Sequence, residues 1–140
     1  MYKHTQIGWI ILVISTPIIL ILAFWAAINP ILVAIIAIVA IVIMLALFTS
    51  LTVVGDNNEI RFSFGPGVVR KHISYDRIKS VKKVRNRWYY GWGVRWYGRG
   101  WLYNVSGLDA VELNLTNDTE LRIGTDEPDE LLAFLNSKIT

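Results

Sequence analysis

The feature that most limits the fold of this chain is a run of 52 residues, between Lys3 and Asp56, without Asp, Glu, Lys or Arg. One membrane-spanning helix needs about 20 apolar residues, so this run is too long for one span and long enough for two. Asn29 and Pro30 lie in its middle, and both residue types are common at helix starts. The sequence therefore predicts a two-helix transmembrane hairpin. Its helices are expected at about residues 6–28 and 30–51.

The rest of the 140-residue chain is compatible with water, so the sequence predicts two parts. Residues 1–50 form the hairpin, and residues 51–140 are enough for one domain with a modest core. A signal peptide is the rival interpretation of the N-terminus, but its apolar core has about 7 to 15 residues and Ile7–Ile28 is longer. The chain has no Cys, which excludes disulfides and thiolate catalysis.

Positive charge predicts the orientation of the hairpin. The predicted tip near Asn29 has no Lys or Arg, whereas Lys3 precedes the first helix and Arg61, Arg70 and Lys71 follow the second. Because cytoplasmic segments carry the excess of positive charge, both termini are expected in the cytoplasm. The predicted location is the inner (plasma) membrane, as a multi-pass protein.

The second helix carries small residues at a regular spacing. Ala34, Ala37 and Ala40 recur every three residues, and small side chains allow helices in lipid to approach closely. Their expected partner is the first helix or a second copy of the chain. Neither span contains an ionisable residue, so a pore or transporter made by this hairpin alone is not expected.

After Leu51 the pattern changes to short alternating segments separated by turn residues, which indicates β-strands. Thr125–Pro128 then carries helix-start signals ahead of apolar residues at helical spacing. We therefore predict an α+β fold, with strands followed by one C-terminal helix. The expected strands are Leu51–Val54, Glu59–Phe64, Val68–Ser74, Ile78–Val84, Val94–Tyr97 with Trp101–Val105, Ala110–Leu115 and Glu120–Gly124.

Several ordered motifs point to one family. They are Ile60–Gly67, Ile78–Val81, Gly91–Arg95, Gly100–Gly107 and Ile123–Pro128. With these motifs the whole chain resembles the bacterial PH-domain (pleckstrin-homology-like) membrane proteins, small proteins in which two helices precede a PH-like domain. The resemblance implies a PH-like antiparallel β-barrel of about seven strands closed by a C-terminal helix. It also implies a binding or assembly module rather than an enzyme.

Charge is segregated along the second part of the chain. Residues 61–99 hold eleven Lys or Arg against one acid, and residues 109–130 hold eight acids against Arg122 alone. Seven of the seventeen residues from Arg85 to Trp101 are Trp or Tyr. The candidate lipid or partner surface consists of Arg70, Lys71, Lys82, Lys83, Arg85, Arg87, Trp88, Tyr89, Trp92, Arg95, Trp96 and Arg99.

Three roles compete for this basic, aromatic region. Lys and Arg near an anionic leaflet contribute about 1 kcal/mol each, and Trp and Tyr favour the membrane interface. Stacking aromatics with interleaved Arg also suit single-stranded nucleic acid, although no nucleic-acid module is recognisable and a membrane tether argues against it. Finally, Trp and Tyr are common in cores and subunit interfaces.

A PH resemblance invites phosphoinositide binding, but this sequence argues against it. In eukaryotic PH domains the basic site lies around the loop between the first two strands. Here that loop is Gly55–Glu59, which has two acids and no Lys or Arg, and the acids would repel a phosphorylated headgroup. Any contact with anionic lipid headgroups is therefore expected to be unselective.

Catalytic groups are scarce. His4 and His72 have no partner at metal-ligand spacing, and the Ser residues lack a recognisable base or nucleophile elbow. No enzymatic activity, metal or cofactor is expected. The sequence favours a membrane-anchored interaction or scaffolding module, with self-association or another membrane protein as partner. The alternative is an accessory subunit of a larger transporter or enzyme complex.

Overall fold

The structure is a computed structural model that describes residues 1–28 and 32–139. It contains a pair of apolar helices, two β-sheets and a C-terminal helix, so the predicted α+β class is confirmed. The predicted break at Asn29 and Pro30 lies outside the described residues. The helices are α1 (Trp9–Ile28), α2 (Leu32–Phe48) and α3 (Pro128–Asn136). The strands are β1 (Tyr2–Ile7), β2 (Ser50–Gly55), β3 (Glu59–Phe64), β4 (Val69–Ser74), β5 (Ile78–Arg85), β6 (Gly93–Trp96), β7 (Gly100–Asn104), β8 (Asp109–Leu115) and β9 (Glu120–Gly124).

The first strand, β1, is an element that the sequence analysis did not predict. It lies antiparallel to β2, from the pair Tyr2 and Gly55 to the pair Ile7 and Ser50. The helical pair α1 and α2 is therefore inserted between two neighbouring strands of one sheet. Local patterning could not reveal β1, because a short polar strand is recognised by its pairing and its partner lies beyond both helices.

Both apolar helices are shorter than predicted. α1 begins at Trp9 rather than near residue 6, and α2 ends at Phe48 rather than near Leu51. The residues outside the helices join the first sheet instead, because their backbone groups find strand partners there. The Gly8 N–H donates to the Thr49 carbonyl oxygen over 2.6 Å, which ties the two ends of the helical pair together.

The two helices pack against each other and expose most of their apolar surface. Of the described helices, only α1, with 20 residues, has both the length and the composition to cross a membrane. α2 is equally apolar but has 17 residues. The less exposed side chains of α2 recur every three or four residues and define its packed face. They include Ala34 and Ala37, whereas Ala40 is exposed.

The strands form two separate sheets. The first has the order β1-β2-β3-β4, and the second has the order β5-β8-β9-β7-β6. In the second sheet β7 and β9 run parallel, while the other pairs are antiparallel. The predicted antiparallel barrel of about seven strands is therefore wrong for the described residues, which form nine strands, one parallel pair and no closed barrel. Alternation locates a strand, but its partner depends on residues distant in the chain.

The hydrophobic core lies between the sheets and α3. Phe62 and Phe64 of β3, with Leu113 of β8, are fully buried there. Leu131 and Leu135 of α3 cover the same cluster, and burial of each such side chain contributes about 1.5 to 3 kcal/mol. One face of the second sheet is used for this core, which leaves its opposite, outer face for other contacts.

Candidate functional site

The aromatic segment, residues 85–101, runs from the end of β5 to the start of β7 and includes β6, an edge strand of the second sheet. None of its seven Trp and Tyr side chains is buried. Trp88 is 77% exposed and Trp96 is 56% exposed, while Tyr90, Trp92 and Tyr97 are partly covered. These rings are therefore not part of the hydrophobic core. A contact with lipid or with another macromolecule fits their exposure.

One part of the aromatic segment lies at the base of the helical pair. Residues 92–95 face α1 and α2 across a cavity of about 440 Å³, which we call the helix-base groove. Its helical wall consists of Ile11, Met44, Leu45 and Phe48. The indole Nε1 of Trp92 is buried and has no hydrogen-bond partner among the described residues. The groove therefore brings an aromatic ring, an apolar wall and the Arg95 cation to the place where the helices leave the sheet.

Backbone contacts hold the helical pair firmly against the first sheet. Gly65, in the turn between β3 and β4, has φ of +49°. A Cβ atom at this position would lie 2.5 Å from the Leu47 carbonyl oxygen, so the turn touches the last turn of α2. Only glycine combines this φ with such a close approach at little cost. Together with the Gly8–Thr49 hydrogen bond, this contact fixes the position of the helices relative to the sheet.

A row of charged side chains crosses the outer face of the second sheet. Lys82, Glu112 and Arg122 are register neighbours on β5, β8 and β9. Glu112 is 1% exposed; its Oε1 lies 2.8 Å from Lys82 Nζ, and its Oε2 accepts a hydrogen bond from Arg122 Nε at 2.8 Å. Burial acts to raise the pKa of Glu112, but the two cations outweigh it and lower the pKa below 4.5. Glu112 is therefore a buried carboxylate that stays charged.

Arg122 also forms the floor of a second cavity, which we call the arginine pocket. This cavity has a volume of about 380 Å³ and is lined by Arg85, Arg87, Tyr90, Tyr97, Arg99 and Arg122. The guanidinium carbon of Arg122 lies 4.3 Å from the centre of the Tyr97 ring, and Arg122 Nη1 donates to Asn86 Oδ1 at 3.1 Å. These contacts, together with Glu112, hold the Arg122 side chain in one position.

A hydrogen bond and a ring contact fix the positions of the two tyrosines of the arginine pocket. The Tyr97 hydroxyl donates to Glu120 Oε2 at 2.9 Å. Burial and then this hydrogen bond raise the pKa of Tyr97 above its ordinary value of 10.0, so the hydroxyl stays protonated. The rings of Tyr90 and Tyr97 lie 5.7 Å apart. The pocket therefore has an ordered aromatic wall beside its cationic floor.

Strand pairing mixes the two charge blocks that are separate in the sequence. Lys79 pairs with Asp118 over 2.6 Å, and Lys83 pairs with Asp129 over 2.8 Å. The opposite charges that are segregated along the sequence are thus partly neutralised by pairing within the chain. Arg85 and Arg99, in contrast, make no ion pair among the described residues. The arginine pocket therefore brings together three cations, Arg85, Arg87 and Arg99, that have no ion pair among the described residues.

The predicted surface does not form one patch. Arg70 and Lys71 lie on β4 of the first sheet and line a separate cavity of about 450 Å³. Lys82 and Lys83 form ion pairs with Glu112 and Asp129, respectively. Trp88 and Tyr89 lie in an exposed 3-10 turn, and Trp96 packs edge-to-face against Trp101. The arginine pocket contains Arg85, Arg87 and Arg99, and the helix-base groove contains Trp92 and Arg95.

Sequence reasoning missed three members of the arginine pocket: Tyr90, Tyr97 and Arg122. The available signal for Arg122 was its isolation as one cation among eight acids. Its position next to Glu112 depends on the register of β8 and β9, which the sequence pattern does not contain. Comparison of the chain with protein-family models, curated proteins and solved structures found no match.

Proposed function

We propose that this protein is a membrane-anchored, non-enzymatic binding module related to the bacterial PH-domain membrane proteins. In this proposal both α1 and α2 span the inner membrane, and both termini lie in the cytoplasm. The two-sheet domain, as a PH-like domain, is held at the membrane face. There it contacts anionic lipid and gathers protein partners.

The observation that carries the proposal is the insertion of the helical pair between β1 and β2. Because β1 enters the helices and β2 leaves them as neighbours in one sheet, the domain is joined to the helices by two paired strands rather than by a flexible linker. Of the two apolar helices, α1 is long enough to span a bilayer, and α2 has 17 residues, at the short end of the range of about 17 to 25. A pair of this kind would orient the domain as well as anchor it.

The helix-base groove supports contact with lipid. If α1 and α2 are in the membrane, residues 92–95 lie at the level where the helices emerge. Trp and Arg favour this interfacial layer, because an apolar body can enter the acyl region while a polar end stays in the headgroup region. Trp9, which is 65% exposed at the start of α1, lies at the same end of the helical pair.

Self-association is part of the proposal. The apolar faces of α1 and α2 that do not contact each other are exposed, and in lipid such faces pack through small residues such as Ala40. Binding partners in the membrane plane would meet the domain at raised effective concentration. The alternative, an accessory subunit, uses the same exposed faces with a different chain.

Single-cysteine labelling tests the anchoring and its orientation, since the chain has no Cys of its own. The variants are Lys3→Cys in β1, Glu130→Cys in α3 and, as the matched control near the far end of α1, Ile28→Cys; all three positions are exposed. In spheroplasts, a membrane-impermeant maleimide should label Ile28→Cys. It should label Lys3→Cys and Glu130→Cys only after permeabilisation. Labelling of either of these two in intact spheroplasts, or recovery of the chain in the soluble fraction, would contradict the proposal.

A further inference from the structure

We propose that the arginine pocket binds a phosphate group with at least two negative charges, such as a phosphate monoester or a pyrophosphate. The inference goes beyond the anchoring role and does not depend on it, because the pocket lies on the two-sheet domain. A general attraction of basic residues to an anionic surface would not select this ligand class.

Cations from separate parts of the fold converge at the arginine pocket. Arg85 ends β5, Arg87 follows it in the loop, Arg99 precedes β7 and Arg122 lies within β9. Gly100 helps to place Arg99, because a Cβ atom there would lie 1.8 Å from the Glu120 carbonyl oxygen and would keep β7 away from β9. Like charges brought together by the fold repel each other unless an anion lies between them.

The charges at the arginine pocket do not balance. Five cations belong to the pocket or to its ion pairs, namely the four arginines and Lys82. They face three carboxylates: Glu112, Glu120 and Asp109, which is opposite Arg85 in the strand register but makes no ion pair with it among the described residues. At least two positive charges are therefore uncompensated. A dianion matches this excess better than the single charge of a phosphodiester.

The donor groups of the arginines have a geometry that suits phosphate. A guanidinium group presents a planar fork of N–H donors that fits two phosphate oxygens at once. Arg85 and Arg99 are exposed and unpaired among the described residues, so their forks are available, while Arg122 is already held in place. Asn86, which is 4% exposed, accepts a hydrogen bond from Arg122 Nη1 at 3.1 Å and so helps to hold this guanidinium group.

The size of the pocket agrees with this ligand class. Its volume of about 380 Å³ accommodates a pyrophosphate or a phosphate monoester together with the first groups attached to it. Tyr90 and Tyr97 would line one side and limit access of water to the bound group. The phosphate could belong to a lipid headgroup or to a soluble molecule, and the chemistry of recognition is the same in both cases.

Pyrophosphate is the probe for the test. The full-length protein in nanodiscs of phosphatidylcholine is titrated with pyrophosphate by calorimetry at physiological ionic strength. We expect saturable binding that R85Q/R99Q weakens about tenfold or more, because two bidentate contacts are lost. The matched control R70Q/K71Q removes the same charge from the first sheet and should leave the affinity unchanged. R85K/R99K keeps the two positive charges but loses the bidentate guanidinium groups. Its affinity for pyrophosphate should therefore lie between that of R85Q/R99Q and that of R70Q/K71Q.

A second set of nanodiscs identifies the source of the phosphate. Phosphatidic acid carries a phosphate monoester, and phosphatidylglycerol at the same mole fraction carries only a diester. If the natural ligand is a lipid, phosphatidic acid but not phosphatidylglycerol should suppress pyrophosphate binding. If neither lipid suppresses it, the ligand is a soluble phosphate. The proposal is overturned if pyrophosphate does not bind in phosphatidylcholine nanodiscs, or if R70Q/K71Q weakens binding as much as R85Q/R99Q does.

Discussion

At the scale of single residues, Glu112 has the most consequential environment outside the hydrophobic core. It is almost fully buried between the cations of Lys82 and Arg122. A buried carboxylate with two cationic partners stabilises the fold only while it is charged, since a neutral acid would leave both cations without a counter-charge. Glu112 also fixes Arg122, and through it the floor of the arginine pocket.

Glu112→Gln should destabilise the full-length protein by about 3 kcal/mol at neutral pH, because it removes one partner of a buried ion pair. The pKa of Glu112 is lowered below its ordinary 4.5. Its contribution to stability is therefore present above that value and is lost as pH falls through the folded-state pKa. The difference in stability between wild type and variant should shrink as the solution becomes more acidic. Unfolding in detergent, followed by intrinsic fluorescence over a pH series, measures this difference.

Glu130→Gln provides the matched control for this experiment, because Glu130 is an exposed acid on α3. Its effect on stability should stay within about 0.5 kcal/mol, as for most surface substitutions. A loss in Glu112→Gln that is the same at every pH would contradict the role assigned to the charged carboxylate.

At the scale of elements, the insertion of two helices between β1 and β2 is the feature with the largest consequences. β1 supplies contacts that the rest of the domain uses. The Tyr2 ring stacks on Phe134 of α3 with centroids 5.4 Å apart, and Gln6 Nε2 donates to the Ser106 carbonyl oxygen over 3.0 Å. His4 Nε2 lies 2.6 Å from Asp126 Oδ1, just before α3. A fragment that begins after the helices would lose all of these contacts.

Removal of the helices without loss of β1 should therefore give a soluble, folded domain. Ile7 and Ser50 are paired opposite each other, so a two-residue Asn-Gly turn in place of residues 8–49 would connect them as an ordinary β-hairpin. We expect this chain to be monomeric in buffer and to melt cooperatively, by size-exclusion chromatography and circular dichroism. The matched control is the fragment 51–140, which lacks β1 and should melt at a lower temperature or aggregate. Equal stability of the two chains would show that β1 adds nothing to the domain.

Elements recognised by local pattern were located well. β3 and β9 have the predicted bounds, and α3 begins at Pro128, within the segment Thr125–Pro128 that carries the helix-start signals. The bounds of the other predicted strands differ by at most one residue, and the larger errors in predicted bounds lie where two structures compete for the same residues, at the start of α1 and the end of α2. There the choice between another helical turn and a strand depends on whether a partner strand is in place.

At the scale of the whole molecule, the exposed faces of the helical pair raise the question of what covers them. Most large side chains of α1 and α2 are exposed, which is stable only in lipid or against other apolar surface. Lysines of β5 pair with acids of the same chain, so these charges contribute little to contacts between copies. Association through the helices is the form of self-assembly that these observations favour.

Mass measurement in mild detergent distinguishes the two proposed kinds of assembly. Self-association through the helices predicts species at multiples of 15.9 kDa. These species should revert to the monomer when Ala40, on the exposed face of α2, is replaced by Leu, because a larger side chain prevents close helix contact. Ala34→Leu, on the face toward α1, is the comparison and should perturb the fold instead. A co-purifying chain of different mass would favour the accessory-subunit alternative.

The sequence by itself determined which third of the chain is continuously apolar and where most strands and the last helix lie. These properties depend on apolar periodicity, turn residues and the absence of charge, all of which are local. The tertiary structure decided that β1 joins β2 across the helices, that β7 and β9 are parallel, and that Arg122 meets three other arginines in one pocket. Pairing and register bring together residues that are distant in the chain, so no local pattern encodes these contacts.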